Sequence, residues 1–414
     1  MRSLRTATRR EFVTRGLGLV GVGTVLPNYL VHTALAGPSA EPGQRTLVVL
    51  ELSGGHDAIS ELVPYGHEEY GKARKATRIK DDEVIKLNNE LGLHPNLKGF
   101  KELLDQGAFA AIPGVGYPET NYSHFTATEI WHTARHQASS EPYGWIGRGI
   151  DCGHKGNPDP TLSIAVGTGK SPRLMVGNEH PGIAFSNPDQ YRYTGDRGDK
   201  ARAELYRELN ALDADKAQGS LNFITSTARR ANDSSDRIRQ LVGAYKPKVE
   251  YPSNGLGRSL QIIAGLITGG LNTRIFFTST GGYDTHRGQR PNHDKLMENL
   301  NACVSAFQKD LAQQGQDQRV LMMTTSEFGR RVQENGNEGT DHGAAAAQFL
   351  FGPALKPGIH GKHPSLTDLQ GGGGGSLKHT TDFRSVYATV LEKWLGIPAE
   401  PVLGEKFPLV DCIA

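Results

Sequence analysis

Cysteine is scarce in this chain of 414 residues, which contains only Cys152, Cys303 and Cys412. The three cysteines are far apart, and none belongs to a Cys-x-x-Cys pair, the spacing that many zinc sites with thiolate ligands use. A zinc site built from cysteine is therefore not expected. An exported protein can form one disulfide from such a set, and the sequence does not determine which pair would form it.

The chain also lacks a large excess of charge of either sign, since 46 Lys and Arg residues stand against 44 Asp and Glu residues. Proteins that bind nucleic acid through its phosphates concentrate positive charge on one surface. The basic segment Lys72–Lys80 contains no interleaved aromatic residues, and we interpret it as a solvent-exposed face. Nucleic acid is therefore not an expected partner.

The apolar run near the N-terminus, residues 16–26, is too short to cross a bilayer, because a membrane-spanning helix needs about 20 residues. It follows Arg9-Arg10 and precedes Ala34-Leu35-Ala36, an order typical of an export signal with a small-residue cleavage site. The arginine pair predicts recognition by the twin-arginine translocase. We therefore expect residues 1–36 to be a signal peptide, residues 37–414 to form a single α/β domain without a membrane span, and the protein to be periplasmic or extracellular.

Strands and helices alternate along the mature chain. Short apolar runs bounded by turn residues predict strands, and longer amphipathic stretches predict helices. The predicted strands are residues 45–52, 108–113, 162–166, 273–279, 319–325 and 346–351. The predicted helices are residues 94–106, 123–135, 200–245, 260–268, 295–313 and 383–395. This alternation predicts an α/β fold with a largely parallel central sheet and helices on both faces.

Polar clusters follow several of the predicted strands. Ser53–Asp57 follows the first strand, Gly281–His286 follows the strand at 273–279, and Ser326–Arg331 follows the strand at 319–325. Gly339–Gly343 lies some ten residues further on, and Asn121–His124 opens a predicted helix. Because the carboxyl ends of parallel strands meet at one edge of the sheet, we expect these clusters to lie close together.

The residue types in these clusters indicate metal-dependent chemistry. Carboxylates and imidazoles without thiolates suit zinc, manganese or another borderline divalent ion. Two such ions about 3.5–4 Å apart would contact both the attacking and the leaving oxygen of an ester displacement. A serine at a helix N-terminus could be the nucleophile, and the helix dipole would favour an anionic substrate group. Arg330 offers a planar, charged fork for phosphate or sulfate oxygens.

A combination of motifs runs through almost the whole mature chain. Its members are Ser53-Gly54-Gly55-His56-Asp57, Ser123-His124-Phe125, Gly282-Tyr283-Asp284-Thr285-His286, Ser326-Glu327-Phe328-Gly329-Arg330, Gly339-Thr340-Asp341-His342-Gly343 and Thr381-Asp382-Phe383-Arg384 before Trp394-Leu395-Gly396. This combination resembles the bacterial DUF1501 family. The family is in turn similar to the alkaline phosphatase, sulfatase and phosphoglycerate mutase superfamily, whose members use a two-metal site and a Ser, Thr or modified Cys nucleophile.

The chain order of that superfamily implies roles for residues of this sequence. Ser123 would be the nucleophile, and Arg330 would hold the oxyanion. The implied metal ligands are Asp57, Asp284, His286, Glu327 and His342. The resemblance thus implies an exported hydrolase of phosphate or sulfate esters that uses one or two divalent ions, zinc or manganese, on an alkaline-phosphatase-like fold.

Some positions depart from the superfamily pattern. Asp284 and His286 have the spacing Asp-x-His in place of Asp-x-x-x-His, which makes His293 a spare candidate ligand. Phe328 stands after Glu327, where the superfamily has a histidine. No Cys-x-Pro-Ser-Arg motif is present, so formylglycine sulfatase chemistry is not favoured. The alternative hypothesis is a family member that binds an extracytoplasmic ligand without turnover.

Overall fold

The computed structural model describes residues 44–136, 140–155, 159–180, 182–191, 234–371 and 375–414, together with positions 201, 204 and 208. The predicted signal peptide at residues 1–36 and most of the predicted helical segment at 200–245 lie outside the described residues, although residues 234–244 are helical. No helix in the described part of the chain is both long and apolar enough to cross a bilayer. The three cysteines are free thiols.

Sixteen strands are present in the described residues. In chain order they are β1 (Thr46–Leu52), β2 (Leu62–Val63), β3 (Ile85–Lys86), β4 (Gly92–Leu93), β5 (Phe109–Gly116), β6 (Ser163–Val166), β7 (Ile183–Phe185), β8 (Ile275–Thr280), β9 (Val320–Thr325), β10 (Gly329–Glu334), β11 (Thr340–Gly343), β12 (Ala346–Phe351), β13 (Gly358–Ile359), β14 (Leu369–Gln370), β15 (Ser376–Leu377) and β16 (Thr381–Asp382). All six strands predicted from the sequence are among them.

Nine strands form the central sheet in the order β13-β5-β12-β9-β1-β8-β6-β7, with β16 also paired to β5. All of its pairings are parallel except those that β12 makes with β5 and β9. The predicted largely parallel α/β fold is therefore confirmed. The carboxyl ends of β1, β8 and β9 lie side by side, which brings the loops after them to the same edge.

Both faces of the sheet are covered by helices. The α-helices that the structure describes with defined ends are α1 (Ala58–Glu61), α2 (Glu68–Ala73), α3 (Lys98–Asp105), α4 (His124–Thr133), α5 (Trp145–Gly153), α6 (Gly255–Thr268), α7 (Gln289–Gln313), α8 (Phe383–Thr389) and α9 (Ala399–Leu403). Helices α4, α5, α8 and α9 pack on one face, and α3, α6 and α7 pack on the other. Strand β1 is apolar on both sides for this reason, as is typical of strands inside a parallel sheet.

The helix boundaries differ more from prediction than the strand boundaries do. Helix α6 begins at Gly255 and not at 260, because the Asn254 side chain accepts a hydrogen bond from the Gly257 amide and caps it. Helix α7 begins at Gln289 and not at 295, since Gln289 is buried against polar partners distant in sequence. The last predicted helix is α-helical only to Thr389 and continues as a π-helix over Val390–Leu395.

Phe100 of α3 gives a test of how the second face is packed. The side chain is fully buried, and its ring centroid lies 5.6 Å from Phe109, 5.9 Å from Phe349 and 4.7 Å from Phe351. Replacing Phe100 with alanine should lower the free energy of unfolding by about 3–5 kcal/mol, because it removes buried apolar surface and leaves a cavity. Urea unfolding of the purified protein measures this change.

Phe125 supplies the matched control, because its side chain is 87% exposed. Phe125→Ala removes the same atoms from the surface and should change the unfolding free energy by no more than about 0.5 kcal/mol. Equal effects of the two substitutions would contradict the packing described for α3.

Candidate metal centre

Asp284 lies in the loop after β8, at the carboxyl edge of the sheet. This loop packs closely against the loop after β1, where a Cβ atom at Gly54 would lie 2.4 Å from the Asp284 amide nitrogen. Gly54 also has a φ of +124°, a conformation that favours glycine. The two strand-end loops can therefore approach each other only with glycine at this position.

Three imidazoles face the Asp284 carboxylate. Oδ1 lies 3.0 Å from His286 Nε2 and 3.2 Å from His342 Nε2, and Oδ2 lies 3.5 Å from His124 Nε2. The two nitrogens His286 Nε2 and His342 Nε2 are themselves 3.0 Å apart. We call these four residues the Asp284 cluster.

The other ring nitrogen of each histidine faces an acceptor. His342 Nδ1 lies 2.8 Å from the Tyr122 carbonyl oxygen, which can only accept, so Nδ1 carries the proton. His124 Nδ1 lies 2.8 Å from Glu327 Oε1, and His286 Nδ1 faces Asp341 Oδ1 at 3.4 Å. In the neutral rings these partners leave a lone pair on each Nε2, directed at Asp284.

This arrangement fits a divalent cation. Three lone pairs and a carboxylate that converge without a proton between them repel one another, and a cation relieves that repulsion. Ligands around a tetrahedral ion at about 2.0–2.1 Å are about 3.3 Å apart, close to the separations in the Asp284 cluster. The ligand atoms of His124, Asp284 and His342 all lie within 4.8 Å of one another.

The surroundings lower the pKa of two members of the cluster, Asp284 and His342. Burial alone would raise the pKa of Asp284, but the hydrogen bond and charge of Arg330, together with His342 and His286, lower it to about 2. Burial lowers the pKa of His342. Both shifts favour the protonation state that metal binding requires. The Asp284 side chain remains 45% exposed, so the cluster is accessible from solvent.

Arg330 supports Asp284 from within the protein. The side chain is 1% exposed, and its Nη2 donates to Asp284 Oδ1 at 2.6 Å. Its remaining hydrogen bonds go to backbone carbonyls. These belong to Gly54, Gly55, Tyr283 and Thr340. The predicted contact between Arg330 and substrate oxygens has no support in this geometry, because the guanidinium is enclosed, and we assign Arg330 a positioning role.

Glu327 lies behind His124. Its Oε1 accepts from His124 Nδ1 and from the Gly54 amide at 2.9 Å, and its Oε2 accepts from the Ser326 hydroxyl. A carboxylate in this position fixes the tautomer and orientation of a metal-binding histidine. Glu327, a predicted metal ligand, thus contacts His124 and not the Asp284 carboxylate. Phe328 is fully buried, and its ring packs 4.4 Å from that of His342.

Asp57 does not join the cluster. Both of its carboxylate oxygens accept from the buried Arg74 guanidinium, at 2.6 and 2.9 Å, and Oδ2 also accepts from Ser60 and Gln289. Asp57, one of the predicted metal ligands, thus lies in a buried ion pair with Arg74 and does not face Asp284. His293 is likewise buried elsewhere, with Nε2 3.5 Å from Glu61 Oε1.

Ser123 is the residue before α4 and precedes His124 directly. Its side chain is exposed and makes no capping hydrogen bond to the helix, so the hydroxyl is not committed to a structural role. The prediction that it is a nucleophile is not tested by these contacts. His124 itself was not predicted as a ligand, and the only sequence signal was its place beside Ser123 in a polar cluster that opens a helix.

Residues 44–400 match a family described as a protein of unknown function, DUF1501. The chain belongs to the DUF1501 family. No protein of curated function matches the sequence of this DUF1501 protein.

Several solved structures are similar to this DUF1501 protein. PsFucS1 sulfatase from Pseudoalteromonas sp. is 10% identical, with a TM-score of 0.39 over 94% of this chain and 75% of its own. A protein in the alkaline phosphatase superfamily from Vibrio parahaemolyticus is 10% identical, with a TM-score of 0.38 over 93% of this chain and 79% of its own.

A third structure, the C-terminal periplasmic domain of EcEptC from Escherichia coli in complex with Zn, is 10% identical to this chain. Its TM-score is 0.33, and the match covers 76% of this chain and 73% of that one. At these scores the similarities say nothing about the chemistry of this DUF1501 protein.

The Asp57–Arg74 pair predicts a large, pH-dependent effect on stability. Arg74→Met should lower the unfolding free energy by about 3–5 kcal/mol near pH 7, because it leaves a buried carboxylate without its cation. Burial alone would raise the pKa of Asp57, but Arg74 holds it far below its usual range. The stabilisation by the pair is therefore present at neutral pH and is lost as the pH falls through the folded-state pKa.

The loss caused by Arg74→Met should accordingly shrink as the pH falls from 7, because the buried Asp57 carboxyl of the variant, without Arg74, takes up a proton above its usual pKa. Urea unfolding at a series of pH values measures the difference in unfolding free energy between the unaltered protein and Arg74→Met. Lys75→Met, which removes an exposed neighbouring cation, is the control and should have an effect within about 0.5 kcal/mol. A loss that did not change with pH would contradict the assignment to Asp57.

Proposed function

We propose that this DUF1501 protein is an exported metal-dependent hydrolase of phosphate or sulfate esters with Ser123 as nucleophile. The observation that carries the proposal is the convergence of three imidazole Nε2 atoms on Asp284 while each Nδ1 faces an acceptor. Because the cluster lies at the carboxyl edge of the sheet and is accessible from solvent, a metal bound there could contact substrate. The nitrogen and oxygen ligands suit zinc or manganese.

The described residues support one ion better than two. Asp57 is paired with Arg74, and Glu327 is paired with His124, so neither carboxylate is free to hold a second ion. A bound divalent ion supplies positive charge that polarises an ester oxygen and stabilises the negative charge developing on it. The chain's own contribution is to fix the ligands through Arg330, Glu327 and the Tyr122 carbonyl.

Ser123 is suited to attack at this position. The hydroxyl is exposed at the N-terminus of a ten-residue helix, where the backbone dipole favours an anionic group. Its oxygen would form a bond to phosphorus or sulfur while the ester bond breaks and the alcohol leaves with a proton. Water would then hydrolyse the serine ester, releasing phosphate or sulfate and restoring the hydroxyl.

The cellular setting belongs to the same proposal. The twin-arginine pattern at Arg9-Arg10 and the small-residue site at 34–36 would send the folded, metal-loaded chain through the translocase to the periplasm or beyond. An ester of a small molecule or of a polymer outside the cytoplasm would then be the substrate.

The second candidate function is ligand binding without turnover. The enclosure of Arg330 favours it, because the guanidinium cannot contact an oxyanion. The two functions differ in one measurement: a metal-loaded protein that hydrolyses neither p-nitrophenyl phosphate nor p-nitrophenyl sulfate would support the binding function.

Metal content tests the proposed centre. Elemental mass spectrometry of the folded mature protein should find about one equivalent of zinc or manganese, and the double substitution Asp284→Ala/His342→Ala should abolish it. Glu327→Gln should weaken metal affinity by about 10–100-fold, because His124 loses the carboxylate that orients it. Metal that remained at full occupancy in the double variant would disprove the site.

Glu51→Gln is the control for Glu327→Gln. Glu51 Oε2 lies 2.7 Å from His132 Nε2, so it forms the same type of carboxylate–histidine pair outside the Asp284 cluster. Metal affinity should not change in this variant. A similar loss in both variants would show a general effect on stability and not on ligand orientation.

Ser123→Ala tests the nucleophile. Turnover of p-nitrophenyl phosphate or sulfate should fall by about 10³-fold with unchanged metal content, because the group that attacks the ester is removed. Thr126→Ala, which deletes an exposed hydroxyl from the same helix, should retain full activity. Intact turnover in the Ser123 variant would show that water attacks the ester directly.

A further inference from the structure

A second cleft opens at the same edge of the sheet as the Asp284 cluster. Its volume is about 710 Å³, and it lies between the loops after β6, β7 and β8 and the first turn of α6. We call it the Arg258 cleft. Gly281, which lines it, is only three residues before Asp284, and three residues of chain span at most about 11 Å. The near end of the cleft therefore lies within about 11 Å of the Asp284 backbone.

A buried hydroxyl without a partner faces this cleft. Ser259 is 6% exposed, lines the cleft and has no side-chain hydrogen bond within the described residues. The space before it is kept open by Gly167, where a Cβ atom would lie 2.4 Å from Ser259 Oγ. Thr278 Oγ1 is also buried, lacks a partner and lies 3.6 Å from the same Cβ position. A ligand or water in the cleft would supply a hydrogen-bond partner for the Ser259 hydroxyl.

The charge in the cleft is positive and uncompensated. Arg258 is exposed, lines the cleft, and makes no hydrogen bond or ion pair with the described residues. It lies in the first turn of α6, where the helix dipole disfavours a cation. No carboxylate is among the lining residues. An anionic group of a ligand in the cleft would supply the partner that Arg258 lacks among the described residues.

The rest of the lining is neutral and polar. It consists mainly of hydroxyl and amide side chains, namely Ser186, Asn187, Asn254, Gln261, Ser279, Thr280 and Asn299. Such groups donate to and accept from the hydroxyl groups of a ligand. We propose that the Arg258 cleft binds a second phosphate or sulfate group of a hydroxyl-bearing substrate whose reacting ester lies at the Asp284 cluster. This inference rests on the proposed function and specifies its substrate as a multiply charged molecule.

A matched pair of probes tests the second anion site. Isothermal titration calorimetry of the full mature protein should show fructose 1,6-bisphosphate binding at least fivefold more tightly than fructose 6-phosphate. Arg258→Gln should remove most of that preference, because the second phosphate loses its cation, whereas Arg258→Lys should retain part of it. No preference in the unaltered protein, or an unchanged preference in Arg258→Gln, would overturn the proposal.

Arg237→Gln is the control for charge. Arg237 is exposed and approaches only the Gly269 carbonyl oxygen, at the opposite end of α6, so the variant removes the same charge away from the cleft. It should keep the preference for the bisphosphate. An equal loss in Arg237→Gln would show a general effect of net charge and overturn the assignment to the cleft.

Binding of inorganic sulfate separates this inference from the proposed function. Asp284→Asn disables the metal centre but should leave sulfate binding at the cleft, and Asp284→Asn/Arg258→Gln should lose it. If the unaltered protein had no metal and no turnover but its sulfate binding depended on Arg258, the proposed hydrolase function would be disproved and the anion site in the Arg258 cleft would be supported. If turnover were present and sulfate binding did not depend on Arg258, only the cleft would be disproved.

Discussion

The enclosed guanidinium of Arg330 is the contact on which the candidate site depends. It bridges the loops after β1 and β8 and the β10–β11 hairpin through backbone carbonyls, and it ends on the Asp284 carboxylate. The buried backbone carbonyls that Arg330 contacts require hydrogen-bond donors. The Asp284 carboxylate, which faces three imidazole lone pairs, requires a nearby positive charge. One side chain meets both needs. Arg330 therefore fixes the position of the Asp284 carboxylate from within the protein.

A second buried arginine, Arg74, also joins a carboxylate to backbone carbonyls, and it lies next to the loop after β1. It neutralises Asp57 and also donates to the carbonyls of Arg331 and Val332 on β10. Asp57 and Asp284 both follow strands of the central sheet, and each is paired with a buried arginine. Asp57 becomes part of the framework, whereas the Asp284 side chain stays open to solvent. Solvent access, and not residue type, distinguishes the Asp57 carboxylate of the buried ion pair from the Asp284 carboxylate of the candidate metal centre.

The site and the Arg258 cleft share the carboxyl edge of the parallel sheet. This edge collects the positive ends of following helices and the irregular loops in which unusual polar contacts are tolerated. The Asp284 cluster offers converging lone pairs there, and the cleft offers an unpaired cation and unpartnered hydroxyls. A substrate with anionic groups at two positions matches both, since an ion bound at the first and Arg258 at the second would each neutralise one group.

The sequence by itself determined the sheet, because apolar runs such as β1 are local patterns that only a strand buried on both faces explains. It also placed Asp284 and His286 at the carboxyl edge of the sheet, since strand ends in a parallel sheet converge. His342 joins them from β11, which pairs with β10 outside the central sheet. Only the tertiary structure decided the parts played by Asp57 and His124. A carboxylate can pair with a buried arginine or remain exposed at the edge of the sheet. Which of the two occurs depends on side chains distant in sequence, such as Arg74, and a local sequence pattern does not predict it.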